Sequence, residues 1–392
     1  MMHRISTVIL FVFICSLATA QAPDLSKVPG VVVAHSPASS GKYIGSPSLA
    51  VLPNGDYLAS HDFFGPNSNE HVKADSRIYR STNKGKSWKF VTEIHGAFWS
   101  KLFVSEGKLY FIGTDRHHGH TIIRTSADNG TTWTEPVDNQ TGLLLEGEYH
   151  NAPVPVIEHN GRLWKGMESA MGPIKQWGKR YGAFMMSIPV GQDPLVAKNW
   201  IFSNTLYYDS TYLEGNFGGW LEGNAVVSPE GKILDILRVD DRSTLEEKAA
   251  FISISGDGKV ATFDEATGFV PFPGGSKKFA IRFDSESQLY WTIANDVPDE
   301  VKAANQGKNP ASLRNTQALF CSENLHDWTL RKVLLQHEDP LKHGFQYVDW
   351  QFDGKDIIFL SRTAYDDGLG GAHRSHDANF LTFHRIKKFR KK

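Results

Sequence analysis

Apolar and polar residues alternate along this chain in short runs, and Gly-bearing turns separate the runs. That period of two marks half-buried strands joined as hairpins. The runs 48–52 and 56–60 flank Asn54-Gly55 and predict a first pair of strands. Equivalent pairs recur at 102–113 around Glu106-Gly107, at 153–165 around Asn160-Gly161 and at 224–237 around Glu230-Gly231. Two more follow at 279–293 and at 348–360 around Asp353-Gly354. A late strand is predicted over 381–386 and an early one over 31–33, the early strand pairing with the last unit. The spans 169–216 and 296–313 lack clear alternation and are where a further unit would fit.

Two turns of one pattern punctuate these hairpins. Ser81-Thr-Asn-Lys-Gly-Lys-Ser-Trp88 and Ser126-Ala-Asp-Asn-Gly-Thr-Thr-Trp133 both read Ser-x-Asx-x-Gly-x-x-Trp. The Asx side chain caps a tight turn, Gly takes its left-handed corner, and Trp packs the turn onto the sheet. Weaker copies stand at Ser255-Gly-Asp-Gly258 and Ser322-Glu-Asn-Leu-His-Asp-Trp328. Repetition of a β-unit at this length predicts an all-β fold, a single β-propeller of four-stranded blades closed by the N-terminal strand. The turn resembles the Asp box (BNR repeat) of sialidase-like propellers. Six blades are counted from the hairpins. Such turns are structural, so chemistry must be argued from other positions.

Composition narrows the setting. Residues 1–20 read as a signal peptide: His3-Arg4, an apolar run over 5–17, and an Ala18-Thr19-Ala20 cleavage site. Export to the periplasm or beyond is expected, with 21–392 as one catalytic domain. Of the two cysteines, Cys15 falls in the removed segment and Cys321 is left without a partner. A net charge of −1 argues against nucleic acid as a partner, and no later apolar run predicts membrane insertion.

In a propeller, the loop entering each innermost strand and the loop leaving the second strand share one face, where a central funnel is the default ligand site. At those positions this chain is polar and rich in histidine. The first unit offers Tyr43 and His61-Asp62. The second offers His95, Trp99 and Arg116-His117-His118-Gly-His120, and the third Tyr149-His150-Asn151, Lys165 and Glu168. The fourth offers Trp220, Glu222, Asn224 and Arg238, the fifth Lys278 and Asn295, and the last Gln346, Arg362 and His376. Any one of these alone is ordinarily a solvated loop residue. Together they suit an anionic oligosaccharide or polysaccharide: cations neutralise a carboxylate or sulfate, Trp stacks on a sugar ring, and His and Tyr move protons. The residues expected to contact substrate are His61, His95, Trp99, His150, Asn151, Glu168, Trp220, Arg238, Arg362 and His376. His117-His118-x-His120 lacks the helical spacing of a catalytic zinc site. No cofactor is expected beyond a structural metal ion.

Sialidases need three arginines on a carboxylate and a Tyr/Glu nucleophile pair, the first arginine lying in an Arg-Ile-Pro stretch. Tyr43-Ile-Gly-Ser-Pro47 stands there without an arginine, which argues against a sialidase. The chain more closely resembles propeller enzymes of uronic acid–rhamnose glycans: ulvan lyases, rhamnosyl-glucuronate lyases, ulvan oligosaccharide dehydratases and the related α-L-rhamnosidases. The supporting stretches are 43–57, Tyr149-His-Asn-Ala-Pro-Val-Pro-Val156, Gly161-Arg-Leu-Trp-Lys165 and 376–384. The resemblance implies seven blades and β-elimination to a 4,5-unsaturated uronate, by dehydration or by glycosidic cleavage. It assigns Tyr149 to proton transfer with His118 or His120, His117 being the remaining candidate, and Lys165 to the uronate carboxylate where relatives carry Arg. A rhamnosidase and a non-catalytic glycan-binding propeller are the alternatives.

Overall fold

The computed structural model describes residues 22–241 and 243–391; the predicted signal peptide, with Cys15 and Ala18-Thr19-Ala20, lies outside the described residues. The architecture is mostly antiparallel sheet, in sheets of four, eight, five, five and four strands that resemble propeller blades. The eight-stranded sheet consists of two blade-like units. They meet at Leu143–His150, which pairs on one side with Gly119–Ser126 and at its end with Arg162–Ser169.

Within each unit the strands follow the chain from the inside outwards. Ser48–Val51, Tyr57–Phe64, Asp75–Ser81 and Lys89–His95 form the first. The last runs Gly344–Asp353, Asp356–Ala364 and Phe380–Ile386, and its fourth strand is Val31–His35, in register Val31↔Phe383 and Val32↔Thr382. Of the spans without clear alternation, 169–216 contains Gly182–Pro189 and Ile201–Phe202, the outer strands of the third unit, and 296–313 contains the short helix Asp299–Ala304.

The alternation seen in the sequence is used between units. One cluster joins Ala50, Leu58 and Ile78 of the first unit to Leu102, Leu109 and Phe111 of the second. Another joins Leu360 and Phe383 of the last unit to Leu49 and Tyr57 of the first. Trp164, Trp220, Trp291 and Trp350 are fully buried in such layers. Each large apolar side chain so placed contributes about 1.5–3 kcal/mol. Cys321 is buried and unpaired.

The Ser-x-Asx turns close as their sequences imply. Ser81 Oγ accepts the Gly85 N–H at 2.9 Å, and Ser126 Oγ accepts that of Gly130 at 2.8 Å. Ser322 does the same for Leu325, which holds the left-handed corner without glycine at φ +70°. Pairing fixes where these turns lie. Ser81 is opposite Tyr57 at one end of its ladder, whereas Ser76 is opposite Asp62 at the other. The turns and the histidine-bearing loops therefore occupy opposite ends of the strands.

Three innermost strands share a defect. One extra residue is inserted between Phe98 and Lys101, between Leu221 and Asn224, and between Gln346 and Asp349, measured against their partner strands. At each β-bulge a non-glycine residue takes positive φ: Trp99 at +45°, Glu222 at +57° and Tyr347 at +52°. Such a conformation costs about 1–3 kcal/mol and bulges re-aim side chains. Period-two alternation is broken there, so these three residues leave the inter-blade layers for the rim.

Beneath the rim lies a charged core. Lys101 pairs with Asp349, and Lys278 Nζ donates to the carbonyls of Val348 and Pro153. Lys165 Nζ donates to Asn151 Oδ1 at 2.6 Å and to Gly166 O at 3.2 Å. Asp235 is buried with neither carboxylate oxygen partnered among the described residues, pressed against Gly223, where a Cβ would lie 2.2 Å from Oδ1. Burial, against the pull of Glu168 and Asp235, lowers Lys165 from 10.5 to about 7. Between those values the unfolded chain holds a proton that the folded chain does not, so this group makes stability rise with pH across that window and lowers it below. Lys165→Met should therefore flatten the rise in thermal midpoint between about pH 7 and pH 10.5. An unchanged slope in that variant would show that Lys165 stays charged in the folded protein.

Candidate active site at the bulged rim

The rim is built from the bulges outwards. Asp62, at the end of Tyr57–Phe64, accepts the Trp99 N–H at 2.6 Å on one oxygen and the Ser46 N–H at 3.0 Å on the other, which ties two units together. Only glycine fits at position 45, because a Cβ there would lie 1.5 Å from Asp62 Oδ1. Burial raises the Asp62 carboxyl to about 7, although the two N–H donors and Arg362 pull the other way.

Two guanidinium groups face the Tyr347 ring, Arg362 at 4.6 Å and Arg314 at 5.5 Å from its centroid, and Arg238 walls the same cavity as Arg314. All three arginines are buried. Arg238 Nη1 donates to Glu222 Oε2 at 3.2 Å, joining two of the rim's bulge-dependent groups. Arg314 Nη1 donates to Gln346 Oε1 at 2.7 Å, and burial lowers this guanidinium to about 10. Arg362 also stacks on Phe64 at 4.3 Å. A cavity of about 560 Å³ opens beside this group, walled by Trp177, Arg238, Leu313, Arg314, Arg374 and His376. Buried guanidiniums beside an open cavity can hold a carboxylate or sulfate.

A second cluster stands on the neighbouring units. Trp99 packs on His117 at 4.8 Å and on His150 at 4.5 Å. His150 Nδ1 donates to Glu168 Oε2 at 2.8 Å, and Glu168 Oε1 also accepts the Gly223 N–H. His118 Nε2 lies 2.8 Å from Tyr181 Oη, and its Nδ1 lies 3.0 Å from Arg180 Nη1. A guanidinium can only donate, so Nδ1 is the acceptor, and neutral His118 carries its proton on Nε2, donated to Tyr181. Burial and the neighbouring His117 lower His118 to about 2, so the neutral form is the one present near neutrality. With both nitrogens engaged, His118 has no lone pair to take a proton in this arrangement.

The other sequence candidates fall in several places. Tyr149 and His150 are consecutive in one strand and so face opposite sides. His150 reaches the rim, while Tyr149 packs among Phe184, Leu144 and Met167. Lys165 is four residues short of the end of its strand and lies in the buried core, linked to the rim through Asn151, whose Nδ2 donates to Trp99 O at 2.6 Å. Trp220 is buried among Phe217, Phe263 and Tyr212. His61 is buried, with Nδ1 2.9 Å from Asp62 O, and burial lowers it to about 4. His95 projects outward and pairs with Asp75 at 2.7 Å, and His120 Nδ1 accepts the Gly147 N–H. His376 lies beside Arg362 and pairs with Asp377 at 2.8 Å.

Hairpin positions alone give no sign of Tyr347, Arg314, Tyr181 or Arg180. One signal does point to the bulge residues. A charged or amide side chain two positions further on (Lys101, Asn224 or Asp349) is buried in the inner strand of each of the three units. No helix among the described residues is long and apolar enough to cross a membrane.

No protein-family model and no curated protein matches the chain. Solved structures do. The α-L-arabinanase of Penicillium chrysogenum, complexed with arabinobiose, is similar at 15% identity and a TM-score of 0.55, over 95% of this chain and 99% of that one. The GH93 α-L-arabinofuranosidase of Fusarium graminearum is similar at 10% identity and a TM-score of 0.59, over 91% and 97%. The Trypanosoma rangeli sialidase is similar at 13% identity and a TM-score of 0.54, over 87% of this chain and 55% of that one. At these identities the likeness is one of fold, and the fold this chain shares with them is propeller-like.

Proposed function

We propose that the protein is a glycoside hydrolase acting on a glycan whose cleaved sugar carries a carboxylate. The observation that carries this reading is the placing of Arg314 and Arg362 on the Tyr347 ring, with Arg238, bonded to Glu222, walling the same cavity as Arg314. Three guanidiniums with a Tyr/Glu pair are the set that sialidases require. The arginine missing at 43–47 is compensated in number by Arg362 of the last unit, so the sugar is held from a different side and a uronate suits the site. The solved structures of similar fold include an α-L-arabinanase, an α-L-arabinofuranosidase and a sialidase, which supports hydrolysis of a glycan.

In this mechanism the carboxylate sits on the arginines. The Tyr347 oxygen bonds to the anomeric carbon as its proton passes to Glu222, and the leaving oxygen takes a proton from Asp62. Water then adds to that carbon, returning a proton to Asp62 and releasing the tyrosine, which recovers its own from Glu222. Asp62 suits the task because its raised value leaves it partly protonated near neutrality. As part of this proposal, the blade-like units make a six-bladed ring closed by Val31–His35, and residues 1–20 act as an export signal.

Elimination fits less well. Tyr149 packs in an apolar layer, His118 has both nitrogens engaged, and Lys165 is bonded to Asn151 in the core, which leaves His117 or His120 as the base without the phenol or the cation that elimination also needs. The test is product analysis on oligosaccharides with a terminal uronate, with arabinobiose as a neutral control. The expected result is release of a saturated acidic sugar, with one water added and no ultraviolet chromophore. An unsaturated uronate would overturn hydrolysis, released rhamnose would move the cleavage to the neighbouring sugar, and turnover of arabinobiose alone would remove the carboxylate from the proposal.

A further inference from the structure

Beside the rim, two loops bring together three groups that the hydrolytic reading does not use. Glu70 and His71 lie between Tyr57–Phe64 and Asp75–Ser81, and His117 lies between Lys108–Thr114 and Gly119–Ser126. The His117 N–H donates to Glu70 O at 2.6 Å, which holds the loops together. His71 Nε2 is 3.2 Å from Glu70 Oε1, and the rings of His71 and His117 stack at 4.9 Å. One ligand atom from each of the three side chains falls within 4.8 Å of the others.

His117 supplies the second observation. Both of its ring nitrogens are buried, and neither has a hydrogen-bond partner among the described residues. An imidazole normally satisfies at least one nitrogen when buried, because an unpaired polar atom loses the hydrogen bonds it made to water and gains none in return. A cation held between His117, His71 and Glu70 provides what one nitrogen lacks. The other geometric candidate, Asp75, Glu93 and His95, has no such need. Its members are already paired: Asp75 with His95 at 2.7 Å and with Asn69 at 3.1 Å, and Glu93 with Arg77 at 2.7 Å.

We propose that Glu70, His71 and His117 bind one divalent transition-metal ion, Zn²⁺ by the chemistry of the set. Two neutral imidazoles and one carboxylate suit zinc, and three protein ligands leave a fourth tetrahedral position for water or a substrate oxygen. Trp99 packs directly on His117, so the ion also braces the wall of the sugar site. This set takes one histidine from the His117-His118-x-His120 stretch and its other two ligands from the preceding unit.

The experiment is zinc binding by the mature chain, measured by calorimetry and by metal content after dialysis. Wild type is expected to retain one Zn²⁺ per chain and to gain thermal stability with it. His71 is largely exposed, so His71→Ala should fold normally and bind at least about tenfold more weakly. Glu70→Gln should do the same, and His95→Ala should bind like wild type. The proposal is overturned if wild type retains no zinc, if both His71→Ala and Glu70→Gln bind as tightly as wild type, or if His95→Ala is the variant that loses the ion.

Discussion

Tyr347→Phe should lower turnover of a carboxylate-bearing glycoside by about 10³-fold or more, the scale on which loss of a nucleophile registers. The substitution keeps the ring, and with it the stacking of Arg362 and Arg314, and removes only the oxygen. Thermal stability should barely change, because the hydroxyl lies at the rim rather than in an inter-blade layer. Substrate binding should survive as well, since the arginines stay in place. The measurement is kcat and KM on one substrate, alongside an unfolding scan. A folded Tyr347→Phe variant with near-normal kcat would remove this tyrosine from the mechanism and leave the arginines as a binding site alone.

The second large effect concerns charge geometry. Arg314→Lys keeps a cation but loses the planar fork that can hold both oxygens of a carboxylate. It also loses the donor to Gln346 Oε1. A charge-assisted hydrogen bond is worth about 1.5–3 kcal/mol, so kcat/KM should fall roughly 10- to 100-fold on a free uronate substrate. The methyl ester of the same substrate has no carboxylate to lose and should be turned over almost as well by the variant as by wild type. Equal losses on the acid and the ester would show that Arg314 shapes the pocket without recognising the charge.

The parts of this molecule that local physics dictates were legible in its sequence. Asn54-Gly55 and Asp353-Gly354 mark hairpins because the turn itself demands those residues. Ser81–Trp88 and Ser126–Trp133 mark their ends of the strands because Ser, Asx and Gly complete the turn among themselves. The rim was legible as a place but only in part as a set of residues. His150, Glu168, Arg238 and Arg362 lie where hairpin positions put them. Tyr149 does not share the rim with His150, since neighbouring residues of one strand face opposite ways. The phenol bonded to His118 is Tyr181, distant in sequence, and nothing local announces that contact. Tyr347 was hidden for another reason. Its side chain is turned out by an inserted residue, and period-two reasoning places it correctly only once the insertion is known.

Those insertions have a consequence for how such a rim can change. On either side of Trp99, Glu222 and Tyr347 the ladders resume their pairing with the partner strand. Each bulge thus works as a socket mechanically insulated from the sheet that holds it. A different side chain in one socket alters what the rim presents without shifting a strand or disturbing a layer of apolar packing. The fold supplies three such sockets on separate units; two hold the proposed catalytic pair, Tyr347 and Glu222, and the third, at Trp99, is free to retune what the rim presents while the blades beneath keep their registration.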